Sequence, residues 1–372
     1  MTERKFSAPG RTELAGNHTD HNNGKVIAAA IQLEIASTVQ KTDDNIAVFR
    51  STGFPDVTVN LSNLDIDPKE IGTTEALVRG IAAEFVKRGR AIGGFAANAA
   101  SAVLPGSGLS SSAALEVLLC RIFESLYNDG TLNPVEMAQI GQTAENLYFG
   151  KPCGLMDQLA CSVGGTIAID FADPKQPLIK KLDLNLANAG YTLCVVNTGG
   201  NHADLTADYA AIPQEMKGTA ELFGKSVLRE LDKQTVIDSA AKVRETLGDR
   251  AFLRALHFFN ENERVDAMII ALEKKDIQTY LENVNESGDS SWQLLQNVFS
   301  PHQPQEQGIA IALALTKNFF KKQGLRNSAC RVHGGGFAGT IQAYIPLDIA
   351  DKYRSYMESI FGANAVTLLQ VK

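Results

Sequence analysis

Short β-like runs alternate with amphipathic helical stretches through the first half of the chain, and that alternation constrains the fold more than any other feature. VIAAAI, IAVFR, VTVNL, GTIAIDF and YTLCVVN read as strands. Among them, Leu77, Val78, Ile81, Ala82, Phe85 and Val86 recur at helical spacing from Thr74 to Arg88, with Gly89 as the stop. A second helix starts near Ser111 and carries Leu115, Val117, Leu118 and Ile122. A third opens with Asn133 as cap and Pro134 at the first helical position, runs through Met137, Ile140, Ala144 and Leu147, and stops at Gly150. From about Pro213 to Leu272 helical patterning dominates; ACRVHGGG, GTIQAYI, DIADKYRSYMESIFG and AVTLLQV then read as strand, strand, helix and strand.

A mixed α/β chain of 372 residues exceeds what one core usually serves, so two domains are expected, 1–200 and 201–372. With 44% hydrophobic and 21% charged residues the chain is globular rather than disordered. Its 35 basic and 42 acidic residues give a net charge of −7, which offers no general attraction to nucleic acid or to an anionic membrane but leaves room for a local phosphate pocket. No apolar run approaches the ~18 residues of a spanning helix. The opening MTERKFSAPGRTE has no signal pattern, so a cytoplasmic location is expected. Five cysteines without a C-x-x-C pair fit reduced, buried thiols.

Four segments carry chemistry. In Pro105-Gly-Ser-Gly-Leu-Ser-Ser-Ser-Ala-Ala-Leu115, glycines permit close backbone approach to an anion, the following helix offers unpaired N–H groups, and the hydroxyls add donors or a metal ligand. No Lys-Ser/Thr follows the last glycine and a third glycine is missing, so neither the common P-loop nor a dinucleotide fingerprint applies. A simple helix-capping turn is the competing reading. His333-Gly-Gly-Gly-Phe-Ala-Gly339 contains G-x-G-x-x-G but precedes a strand, which leaves a tight turn or a backbone-only surface that packs against a ligand. Arg11, Asn17, His18, Asp20, His21 and Asn22 concentrate donors and acceptors within twelve positions, a set that suits a polyhydroxylated small molecule. A metal on His18, His21 and Asp20, or a polar surface turn, competes with it. From Glu145 to Gln158, a glycine turn sets Asp157 among apolar residues, as a desolvated proton acceptor or as a helix cap.

Taken in order, PGRTELAGNHTDHNNG, PGSGLSSSAALE, AENLYFGKPCGLMDQ and HGGGFAG resemble the successive motifs of the GHMP small-molecule kinases, most closely their galactokinase branch. The resemblance implies a two-domain α/β (α+β) fold, with an N-terminal domain like ribosomal S5 domain 2 and a C-terminal ferredoxin-like GHMP kinase domain. It implies ATP and Mg²⁺, and a sugar phosphorylated at its anomeric hydroxyl. By that likeness Gly106, Ser107, Gly108, Leu109, Ser110, Ser111 and Ser112 wrap the ATP phosphates, and Ser112 and Glu145 hold Mg²⁺. Asp157 lies at the anomeric hydroxyl with Arg11 beside it. Asn17, His18, Asp20, Gly154 and Tyr209 contact the sugar, and Gly334, Gly335 and Gly336 form the third motif.

Two departures bear on the substrate. The family's Gly-Glu-His-Thr-Asp-Tyr is Gly16-Asn17-His18-Thr19-Asp20-His21 here, and its Arg-x-Asn is Arg11-Thr12-Glu13. The replaced Glu faces the sugar's C6 hydroxyl in the family, so Asn17 makes a uronic acid such as galacturonate the alternative to galactose. A non-catalytic sugar sensor is a reading of another class, against which Ser112-Ala113 and Asp157 argue. A mevalonate-type kinase does not fit the polar Asn17–Asn22 cluster. Oligomeric state is not legible.

Overall fold

The structure is a computed structural model describing residues 3–103, 108–200 and 205–371. It parts into two compact units, one comprising the chain up to Arg11 with Ala29–Gly165, the other Thr12–Ala28 with Thr166–Val371. The alternation read from the sequence is there, and the mixed α/β architecture with it. The division is not at residue 200, however, and the segment Thr12–Ala28 belongs to the second unit.

In the first unit the elements are strands β1 (Arg4–Ala15), β2 (Lys25–Lys41), β3 (Ile46–Ser51), β4 (Val57–Asn60) and β5 (Phe95–Ser101), and helices α1 (Thr74–Lys87), α2 (Ser111–Tyr127), α3 (Pro134–Thr143) and α4 (Met156–Val163). The division between units falls inside β1 and β2. The sheet runs β4-β3-β5-β2, with β3 parallel to β5 and the other pairs antiparallel. Val57 and Val59, and Phe95, Ala97 and Ala99, are buried while their neighbours are not, the period-two signature of a half-covered sheet. Phe123 of α2 ties sheet to helices, its ring 5.4 Å from Phe95 and 5.6 Å from Phe85 of α1.

α3 starts as the sequence predicts: Asn133 accepts from the Val135 and Glu136 amides and Glu136 accepts from the Asn133 amide, a capping box. Its end differs. Ala144–Phe149 continues as a π-turn before Gly150 at φ 80°, and the Lys151 amide donates back to the Glu145 carbonyl at 3.1 Å.

The second unit adds β6 (Thr166–Asp170), β7 (Leu178–Leu182) and β8 (Tyr191–Asn197). After these come α5 (Thr206–Glu221), α6 (Lys233–Asp238), α7 (Ala240–Leu247), α8 (Asp249–Glu273), α9 (Ile277–Ser290) and α10 (Gly308–Gln323). The chain closes with β9 (Ala329–His333), β10 (Thr340–Pro346), α11 (Ala350–Phe361) and β11 (Val366–Leu369). A four-stranded antiparallel sheet runs β11-β8-β10-β9. A boundary at residue 200 would cut β8, an inner strand of this sheet, away from both its partners.

The two faces of this sheet differ in kind. Cys330, Val332, Ile341, Ala343, Ile345, Cys194 and Val196 join an apolar cluster with α10 and α11. The alternating residues Arg331, His333, Thr340, Gln342 and Tyr344 point the other way and are buried as well. Arg331 donates to the Glu13 carboxylate at 2.8 Å and Gln342 to the Glu13 carbonyl at 2.9 Å, which is what ties the Thr12–Ala28 segment to this unit. The Tyr344 hydroxyl donates to Gln342 at 3.2 Å and meets Tyr280 of α9 at 2.9 Å. α9 lies close on β9, since a Cβ at Gly288 would sit 2.9 Å from the Cys330 carbonyl. Among the described residues no helix is long and apolar enough to cross a membrane.

Removing one partner of a buried ion pair leaves the other charge desolvated and alone. Arg331→Met is therefore expected to destabilise the fold by about 3–5 kcal/mol, and Arg331→Met with Glu13→Gln to recover part of that loss. Urea unfolding of the three proteins measures both.

Candidate active site

In the first unit, Arg11 of β1 grips Asp157 of α4 with two parallel bonds, Nε to Oδ1 at 2.6 Å and Nη2 to Oδ2 at 2.7 Å. Arg11 Nη1 donates to the Gly108 carbonyl at 2.6 Å and its amide to the Leu109 carbonyl at 3.1 Å, so the same arginine holds the glycine-serine loop. Ser110 precedes α2 in the left-handed conformation, φ 58°; its hydroxyl donates to Asp157 Oδ2 and its oxygen accepts from no helix amide. The capping reading of this serine is thereby excluded, and the first-turn amides of α2 receive no side-chain cap. Asp157 caps nothing either: its carboxylate serves Arg11 and Ser110. Burial pushes that carboxyl up, but the Arg11 guanidinium and the Ser110 hydroxyl outweigh it and hold Asp157 below the usual carboxylate range. Its side chain keeps 29% exposure, enough to meet a substrate. Gly106 and Ser107 lie outside the described residues.

At the second residue of α2, the Ser112 hydroxyl donates to Glu145 at 3.0 Å. Glu145, on the π-turn, is buried and also meets Lys151 Nζ at 3.0 Å and Gln158 Nε2 at 2.9 Å. A hydroxyl and a carboxylate are hard oxygen donors, so Ser112 and Glu145 fit a small divalent cation whose other ligands come from phosphate and water. Among the described residues no cluster of three or more His, Cys, Asp or Glu forms a protein-only metal cage, and that holds for His18, Asp20 and His21. A cavity of about 270 Å³ borders the same helix start, lined by Ser111 and Ser112 with Phe49, Phe54, Leu77 and Phe149.

In the second unit, the turn at Asp20–Asn22 follows His18, which stands in the left-handed conformation at φ 60°. His18 Nε2 lies 2.9 Å from the Gly335 carbonyl, so that nitrogen carries the proton and Nδ1, buried and without a partner, carries a lone pair. Burial, aided by the His21 charge, lowers the His18 pKa to about 3, and the ring is neutral throughout the physiological range. Asp20 is half-buried and accepts from the His21 amide at 3.0 Å. The Tyr209 hydroxyl donates to the Gly336 carbonyl at 2.9 Å. Gly154 is half-buried in the first unit, in the loop before α4.

Asn17 does not behave as expected. It is 1% exposed; its Nδ2 donates to the Gly334 carbonyl at 2.8 Å and to both Glu13 oxygens, at 3.1 and 3.3 Å, and its Oδ1 accepts from Asn297 at 3.0 Å. Every hydrogen-bonding group of the side chain is engaged inside the protein. The sequence treats residue 17 as a sugar contact whose lost charge admits a uronic acid; the buried network removes that argument for galacturonate. Gly334, Gly335 and Gly336 form the turn between β9 and β10, with carbonyls taken by Asn17, by His18 and Asn297, and by Tyr209. Of the two readings open for this segment the structure shows the turn, and the carbonyls of that turn are taken by the protein's own side chains.

The galactokinase galactose-binding signature matches residues 2–41, and the GHMP kinases N terminal domain matches residues 76–165. A galactokinase of Streptomyces coelicolor is 31% identical over 366 residues, 97% of this chain and 89% of that relative. The chain belongs to the galactokinase family. A galactokinase of Glaesserella parasuis is likewise 31% identical, over 95% of this chain and 88% of its own. Among solved structures, Lactococcus lactis galactokinase complexed with galactose superposes with a TM-score of 0.83 at 24% identity, covering 99% of this chain and 93% of that one. Methanococcus jannaschii mevalonate kinase gives 0.67 at 14% identity, over 100% and 99%. These likenesses place the fold among the GHMP kinases.

For a galactokinase-family chain, several residues at the site carry no signal that motif reading could use. Lys151 is a lysine in a loop until the π-turn brings it onto Glu145. Asn297 and Arg331 sit in ordinary sequence. Glu116 is visible only as a polar interruption of the apolar face of α2. In the structure it is fully buried, shares the Gln158 amide with Glu145 at 3.0 Å, and is pushed well above the usual carboxylate range, first by burial and then by the Glu145 charge.

A carboxyl that stays protonated in the fold but ionises in the unfolded chain costs stability as pH rises above its unfolded value and towards its folded one. Glu116→Gln, neutral at every pH, should therefore raise Tm near pH 8 and change it least near pH 4. Tm measured against pH decides; a lower Tm near pH 8 contradicts the assignment.

Proposed function

We propose that the chain transfers the γ-phosphoryl group of ATP to the anomeric hydroxyl of galactose, giving galactose 1-phosphate and ADP. The observation that carries the reading is the Arg11–Asp157 pair fastened to the start of the serine loop. It sets an ionised carboxylate, a guanidinium and the uncapped amides of α2 in one unit, as in-line attack on a phosphate requires.

The C1 hydroxyl oxygen forms the new bond to phosphorus as the bond from phosphorus to the ADP oxygen breaks. Asp157 accepts the hydrogen bond of that hydroxyl and aligns its lone pair. With a proton affinity depressed by Arg11, Asp157 acts as an orienting charge, and the proton passes to solvent as the oxygen becomes a phosphate ester. That fits a loose transition state, in which little proton removal precedes transfer. Arg11 stabilises the attacking oxygen, while Gly108, Leu109, Ser110 and Ser111, together with Gly106 and Ser107, hold phosphate oxygens. Mg²⁺, held by Ser112 and Glu145, would neutralise charge on the phosphates. The apolar cavity beside Ser111 suits the nucleoside base. For the sugar, His18 Nδ1 and Asp20 offer acceptors to hydroxyl protons, with Gly154 and Tyr209 as further contacts.

Asp157→Asn should lower kcat for galactose by about a thousandfold while leaving ATP affinity within about twofold, because the amide cannot align the hydroxyl as the charge does. Coupled ADP release and ATP titration measure the two quantities. A wild-type protein that binds sugar and ATP without releasing ADP would establish the sensor reading instead. A preference of more than about tenfold for galacturonate in kcat/KM would overturn galactose as the substrate.

A further inference from the structure

We propose that Asn297 is a positioning residue for sugar binding, holding the His18–Asn22 turn and the Gly334–Gly336 segment in register through its contacts with Asn17 and Gly335. The proposal rests on the reading of His18 and Asp20 as sugar contacts. Asn297 is fully buried just beyond α9, after a π-turn at Ser291–Leu295 and the left-handed Gln296, φ 58°. Its Nδ2 donates to Asn17 Oδ1 at 3.0 Å and to the Gly335 carbonyl at 3.1 Å, and its own carbonyl accepts from the Phe337 amide.

The orientation of this amide is forced. Turned over, its oxygen would face two acceptors, Asn17 Oδ1 and the Gly335 carbonyl. Asn17 cannot turn over in response, because its oxygen would then meet the Glu13 carboxylate and the Gly334 carbonyl. The Asn17 carbonyl is itself fixed by His257 Nε2 at 2.9 Å, and His257 by Ser290 at 2.9 Å. The relay runs from Arg331 through Glu13 and Asn17 to Asn297 and ends on the carbonyl that also holds His18. A Cβ at Gly336 would lie 2.2 Å from the Asn297 carbonyl, so the glycine turn approaches this residue as closely as a backbone can. Asn297 touches no reacting group; its influence reaches the sugar only through the placement of His18.

Asn297→Asp puts a carboxylate against two acceptors without changing size, and Asn297→Ser replaces the two amide donors with one shorter hydroxyl without adding charge. Either variant should raise the galactose KM by about tenfold or more, with the ATP KM and kcat within about twofold. Amide hydrogen exchange should quicken in residues 17–24 and 334–337 more than in the rest of the chain. If the aspartate variant fails to fold, the serine variant carries the test. Equal shifts in both KM values, or unchanged exchange in those segments, would overturn the proposal. Should wild type fail to phosphorylate galactose, the functional reading falls, and the exchange pattern alone decides whether Asn297 positions the turn.

Discussion

A guanidinium with no access to water organises the second unit. Arg331 projects from the inner face of a four-stranded sheet, and Glu13, 2.8 Å away, supplies its nearest counter-charge. The need for that counter-charge brings the Thr12–Ala28 segment onto the sheet, and the segment brings Asn17, His18 and Asp20 with it. Polar residues along β9 and β10 then become intelligible: His333 meets Thr12 and Thr340, and Gln342 takes the Glu13 backbone. A face that an apolar core would have left featureless gives a loop one defined seat.

The first unit solves a different electrostatic problem. Three carboxyls, Asp157, Glu145 and Glu116, stand near one another at the loop before α2 and behind it, and their surroundings separate their behaviour. Arg11 and Ser110 keep Asp157 ionised, Lys151 pairs with Glu145, and burial beside Glu145 pushes the Glu116 carboxyl well above the usual carboxylate range. Charge is thus favoured at the start of α2, where Arg11 and Lys151 stand opposite it, and disfavoured one helix turn deeper at Glu116.

Helices and strands were legible where periodicity is local. The capping box at Asn133, the helix after the serine loop and the half-buried strands follow from spacing and turn chemistry that neighbouring residues decide among themselves. The site was legible as motifs, and Arg11, Ser110 and Asp157 come together as their order suggests. What a linear reading could not supply was the direction of each side chain. Asn17 reads as a sugar contact because its neighbours are polar, yet it turns inward to Glu13 and Asn297, residues 4 and 280 positions away. The unit boundary was misplaced for a related reason: strand partnership between β8 and β10 is a long-range fact, and composition does not change near residue 200.

The π-turn after α3 has a consequence for evolution by insertion and deletion. Because Ala144–Phe149 winds wider than an ordinary helix, the Lys151 amide closes on the Glu145 carbonyl and its ammonium folds back on the same residue's carboxylate. Loss of one residue from that bulge would restore a regular spiral and swing everything after it by roughly 100°. Lysine and glutamate would then face different sides, so their pairing depends on the length of this segment.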